Sequence, residues 1–162
     1  MPKHDPDTGF LTEEHFLQRL QQEMERADRE ERWYSVVVCA PQRLPGEGVA
    51  DIVQVAADCV RGLIRDNDLA GRLEGDVLAV GLPDTGPDGA RVFAYRAQGD
   101  LRQRSYRLRN TLWEAASATL PEDGETWREV LDAAIEAVRT RRQRLAAAPH
   151  GPPLPMYLGS QQ

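Results

Sequence analysis

The eight residues Trp33 to Ala40, WYSVVVCA, restrict the fold more than any other stretch of the chain. The run is short, rich in β-branched residues and free of charge, with Ser35 its one small polar residue. It reads as a strand buried on both faces, and such a strand needs cover from two sides. Elements that can supply the cover flank it. Before it, Thr12 is placed as an N-cap, and Phe16, Leu17, Leu20, Met24 and Ala27 recur at helical spacing among Glu, Gln and Arg. After it, the prolines and glycines of PQRLPGEG break the chain, and Ala50 to Ile64 reads as a second amphipathic helix.

Leu69 to Leu73 and Val77 to Leu82 then form two strand-like runs around Glu74-Gly75-Asp76, a hairpin with acid at its tip. Ala90 to Gln98 reads as helix, and SYRLRNTLWEAASATL as one or two strands. In the closing helix, Trp127, Val130, Leu131, Ala134, Ile135 and Val138 share one side. Helices alternating with strands imply an α/β sandwich built on a central sheet. The domain is expected over residues 1–145. Residues 146–162, rich in Pro and Gly, form a tail expected to be disordered or docked on a partner.

Composition removes several classes of function. The chain has 162 residues, 41% hydrophobic and 28% charged, so it can bury a core as one domain. No apolar run approaches the roughly 20 residues of a membrane span. The opening MPKHDPDTGF has no secretory apolar region, and a cytoplasmic location is expected. A formal charge of −6 argues against general nucleic-acid binding. Cys39 and Cys59 lack metal-type spacing and read as buried thiols, and His4, His15 and His150 lie too far apart for a cluster. Lys3 is the one lysine, beside nineteen arginines. Arg102, Arg104, Arg107 and Arg109 around Tyr106 read as a solvated face, with an anionic partner as the alternative. Trp33, Trp113 and Trp127 are read as core or interface anchors rather than base-stacking platforms.

Four segments in this order resemble the GGDEF domain, the family of the diguanylate cyclases. DPDTGFLTEEHF is similar to the family's opening D-x-L-T-G-L-x-N-R-x-x-F, with Asp5, Thr8, Gly9 and Phe16 in place. RDNDLAGRLEGDVLAV resembles R-x-x-D-x-x-x-R-x-G-G-D-E-F. ASATLPEDG looks like the strand and turn that follow, and VLDAAIEAVR like the closing helix. The resemblance implies an α+β, palm-like domain with a central mixed sheet flanked by helices, acting in bacterial signalling.

The departures from the family pattern bear on chemistry. Active members hold two metal ions between an Asp ending the first strand and the acid of the hairpin, to join two GTP molecules. Here that position is Ala40, Gln42 stands where a second Asp is usual, and Val77 replaces the signature Glu. Glu74 replaces its first Gly, the nucleotide-contacting segment is cut to LPGEGVAD, and Arg139 replaces a Lys. Neither cyclase activity nor a metal or other cofactor is expected, which leaves Glu74, Gly75 and Asp76 as a degenerate signature. Arg65 and Asp68, however, match the family's R-x-x-D inhibitory site, where cyclic di-GMP binds. The resemblance gives Arg65 the phosphate or a guanine edge, Asp68 the guanine N1–H and N2–H, and Arg96, or failing it Arg91, the helper's role. The alternative for Arg65 and Asp68 is an ion pair at a helix end. Two functions follow: a catalytically dead cyclic di-GMP receptor, which a bridging ligand could dimerise, or a ligand-free module that holds a protein partner.

Overall fold

The computed structural model describes residues 2–42, 49–104 and 112–147, with the backbone alone at 49–51 and 142–147. The elements run α1 Glu13–Arg29, β1 Tyr34–Pro41, α2 Val49–Arg61, β2 Leu69–Leu73, β3 Val77–Pro83, α3 Pro87–Gln103, β4 Trp113–Leu120 and α4 Trp127–Ala147. The four strands form one sheet in the order β2-β3-β1-β4. The palm-like α+β class stands, but the sheet is antiparallel at every ladder, not mixed. Each strand runs opposite to its neighbours in the sheet, so no helix joins two adjacent parallel strands.

Every residue of β1 is buried, as its charge-free run requires. Alternate residues of β1 feed two cores. Val37 and Cys39 pack with Ile52, Val53, Ala56 and Val60 of α2 and Ala94, Ala97 and Leu101 of α3. Val36, Val38 and Ala40 pack with Phe16, Leu20 and Met24 of α1 and Val130, Leu131, Ala134 and Val138 of α4. Helix α1 can sit close because Gly71 on β2 carries no side chain: a β-carbon there would lie 2.4 Å from the Phe16 ring. The two thiols are buried, and burial pushes Cys39 up to about 12.

Several boundaries differ from expectation. Thr12 is the N-cap of α1, but its hydroxyl meets His15 Nδ1 at 3.0 Å instead of a backbone N–H. Helix α2 stops at Arg61, three residues before Ile64, and α3 is longer than the Ala90–Gln98 read from the pattern. Helix α4 continues to Ala147, so it takes in the first two residues assigned to the tail. Residues 148–162, and Tyr106, Arg107 and Arg109 of the basic cluster, lie outside the described residues. No described helix is long and apolar enough to cross a membrane.

Candidate functional site

The signature and the R-x-x-D pair fall at opposite ends of the sheet, because Leu78 pairs with Cys39 at one end of β1 and Pro83 with Tyr34 at the other. At the first end the turn Glu74-Gly75-Asp76 joins β2 to β3. Gly75 and Asp76 both have left-handed backbones, φ 81° and 61°, which a glycine adopts freely and an aspartate tolerates.

Around that turn one guanidinium is shared among three carboxylates. Arg72, largely shielded with 18% of its side chain exposed, donates to Asp5 at 3.0 Å, to Asp7 at 3.1 Å and to Asp76. Burial works against its charge, but the hydrogen bonds to Asp76, Asp5 and Asp7 outweigh it and hold the guanidinium above its ordinary range. Asp5 is likewise opposed by burial, yet hydrogen bonds from Thr8 and Arg72 keep it below the usual carboxylate range. Glu13 accepts from the Glu74 backbone N–H at 2.7 Å. The hairpin is thereby stapled to the N-terminal segment, and Asp76 faces an arginine.

Beside the turn lies a cleft of about 440 Å³ between the hairpin and α4. Buried Val38, Ala40, Leu131 and Val138 line it together with Leu17 and Ile135, and four charged side chains, Glu13, Glu74, Arg128 and Arg139, share the lining. A cyclase's metal pair does not fit here. The β1 position that should supply a carboxylate is the methyl of Ala40, and the hairpin carboxylate is neutralised by Arg72. Among the described residues no group of three or more His, Cys, Asp or Glu is placed to hold a metal.

At the other end, α2 gives way to a loop that carries Arg65 and Asp68. The Asp68 side chain is 1% exposed, and its carboxylate accepts from the Arg65 backbone N–H at 2.8 Å and from the guanidinium at 3.3 Å. Asp68 N–H in turn donates to the Arg65 carbonyl at 3.0 Å, closing the turn. The Arg65 side chain stays 65% exposed and donates to Thr85 Oγ1 at 3.2 Å. The structure thus brings Arg65 and Asp68 together as an ion pair that caps its own turn. Arg91 pairs with Asp88 at 2.9 Å and lines a groove along β4 with Tyr95 and Ser117, and Arg96 is exposed on α3. No described hydrogen bond or ion pair joins either to Arg65 or Asp68.

Two residues matter more than their sequence context indicated. Arg72 received no role, although an arginine just before an acidic turn is a signal for an ion pair. Trp33, read with Trp113 and Trp127 as a core or interface anchor, is 46% exposed, whereas Trp113 is fully buried.

An antiparallel sheet with paired helices on each face, a hairpin at the cleft and an Arg–Asp turn opposite it define the nucleotide-cyclase palm class. Within that class the chain belongs to the GGDEF family: the family model described as diguanylate cyclase, GGDEF domain, matches residues 2–146. Among solved structures, it is similar to the GGDEF domain of YfiN, also called TpbB, from Pseudomonas aeruginosa. Identity is 23% and the TM-score 0.72, with 87% of this chain and 89% of that one covered. The GGDEF domain of DgcB from Caulobacter crescentus, solved in complex with c-di-GMP, matches at 16% identity and TM-score 0.75, covering 89% and 92%. SiaD from Pseudomonas aeruginosa, a diguanylate cyclase solved with its activator SiaC, matches at 24% and 0.70, covering 87% and 58%. No curated protein sequence matches the chain.

Proposed function

We propose that this chain is a non-catalytic GGDEF domain that receives cyclic di-GMP at Arg65. The observation that carries the reading is the state of the Arg65–Asp68 turn. A buried carboxylate fixes the backbone and base of the arginine, and most of the guanidinium remains in water. A cation held by its neighbours and open to solvent loses little freedom when it forks onto a phosphate. Asp68, with its oxygens engaged by Arg65, serves first to position that arginine; contact with guanine N–H groups would be shared with this duty. The absence of a carboxylate at Ala40 and the ion pair that Asp76 makes with Arg72 support the absence of synthesis.

A second reading, a protein-binding module without nucleotide, is favoured by the same cleft. Partly exposed Leu17 and Ile135 line it beside Glu13, Glu74, Arg128 and Arg139, and a mixed groove of this kind suits a protein segment. Relatives of this fold are seen with each kind of partner, c-di-GMP in DgcB and a protein activator in SiaD. Calorimetric titration with cyclic di-GMP decides between them. Heat from the unmutated chain that is lost in both Arg65→Ala and Arg65→Lys supports the receptor, because a lysine cannot reproduce the fork. No heat at high micromolar ligand leaves the module. Light scattering in the same titration would reveal a ligand-bridged dimer.

A further inference from the structure

Trp33 stands at the same end of the sheet as Arg65, one residue before β1. Three atoms of its indole, Cδ1, Cδ2 and Cε2, each lie 3.6 Å from the point a β-carbon on Gly86 would occupy. A point equally far from those three atoms lies over the face of the five-membered ring, not at its edge. One face of the indole is therefore laid on the N-cap residue of α3. With the residue 46% exposed, much of the ring is left to solvent. Beside it opens a recess of about 300 Å³, bounded by Asp28, Glu31, Arg32, Leu120 and Pro121.

Arg65 donates to Thr85, the residue immediately before Gly86. Neighbouring Cα atoms are about 3.8 Å apart, so the guanidinium and the indole are both fixed to one short turn between β3 and α3. Several acids surround the turn: Asp28 and Glu31 border the recess, and Asp66 and Asp84 lie beside Arg65. Asp84 receives Arg32 at 2.9 Å, and Glu30 pairs with the same guanidinium at 3.2 Å. Arg32 shares its charge between two acids, whereas Arg65 pairs with the single carboxylate of Asp68 and keeps most of its side chain exposed.

We propose that Trp33 is the base-stacking wall of the site whose phosphate end is Arg65. A purine of the cyclic dinucleotide lies on the open part of the indole while Arg65 forks onto a bridging phosphate. The inference rests on the receptor reading above and adds a second contact of different chemistry. An indole already seated on backbone gives a rigid platform, and stacking tolerates any purine face. Base selection falls to polar groups, whereas Trp33 supplies affinity.

The test is a titration of the whole chain with cyclic di-GMP, read by heat and by tryptophan emission. Binding to the unmutated chain quenches emission. Trp33→Phe keeps binding within about threefold, because a benzene ring still stacks, but loses the quench. Trp33→Ala weakens binding by about tenfold or more. Melting curves confirm that each variant is folded, and Trp33→Phe keeps the test open should Trp33→Ala unfold. Binding by Trp33→Ala as tight as by the unmutated chain, or a quench that persists in Trp33→Phe, would overturn the stacking role and leave the receptor standing. No heat from the unmutated chain would overturn both.

Discussion

Arg72 at the hairpin and Arg65 at the opposite end of the sheet are the same residue type in two different states. Arg72 is shielded and touches three carboxylates, two of them more than sixty positions away in the chain. Arg65 touches one, three positions away, and keeps most of its side chain in water. A shielded guanidinium cannot lose its acids without leaving charge stranded in a poor solvent, so it is committed to holding the chain together. An exposed one gives up only a weak local pair when a better anion arrives. At the hairpin end the arginine is committed to structure, and at the opposite end it keeps most of its side chain in water.

Deleting each arginine in turn tests this contrast most severely. Arg72→Ala is expected to cost roughly 2–3 kcal/mol of stability in urea denaturation, since Asp5, Asp7 and Asp76 lose their shared counter-charge. A loss under about 0.5 kcal/mol would show that the hub holds nothing. Arg65→Ala should leave the urea midpoint nearly unchanged while weakening cyclic di-GMP by roughly tenfold to a hundredfold in calorimetry. If its stability fell as far as that of Arg72→Ala, the two ends would not differ as stated. Asp68→Ala tests the middle ground. Removing a buried cap from its own turn is expected to cost about 1 kcal/mol, and ligand affinity should fall with it as Arg65 loosens.

Acid separates the two ends further. The folded value of Asp5 lies below its unfolded one, so its contribution is complete above the ordinary carboxylate value of about 3.9 and is lost as pH falls through the lower folded value. Denaturation midpoints followed from neutral pH to about pH 3 should drop less steeply in Asp5→Asn than in the unmutated chain. Parallel curves would remove Asp5 from the clamp. The smallest expected effect concerns metal. A chelator should leave the melting temperature where it was, and GTP with Mg²⁺ or Mn²⁺ should yield no cyclic di-GMP. Turnover abolished by Asp76→Asn would reverse the assignment of the hairpin end.

The order of the elements follows from the amino-acid sequence alone, and so does much of the chemistry open to the chain. Val36 to Val38 declare a strand with no wet face, the spacing of Phe16, Leu20 and Met24 declares a helix with one dry side, and Ala40 has no carboxylate in any fold. These properties are local, because periodicity and side-chain chemistry belong to the residues themselves. What the tertiary structure decided was who meets whom. Strand pairing depends on how connections close and which faces fit, so the antiparallel order β2-β3-β1-β4 was not legible from runs of apolar residues. Arg72 joins Asp5 and Asp7 because Leu11, in the segment before α1, pairs with β2 at Gly71. The R-x-x-D spacing announced Arg65 and Asp68, but not that the carboxylate turns inward to hold the arginine. Whether Trp33 anchors the core or an interface was settled by packing, which lays Gly86, fifty-three residues later, against one face and leaves the residue half exposed, since burial is a property of the whole packed molecule rather than of a residue.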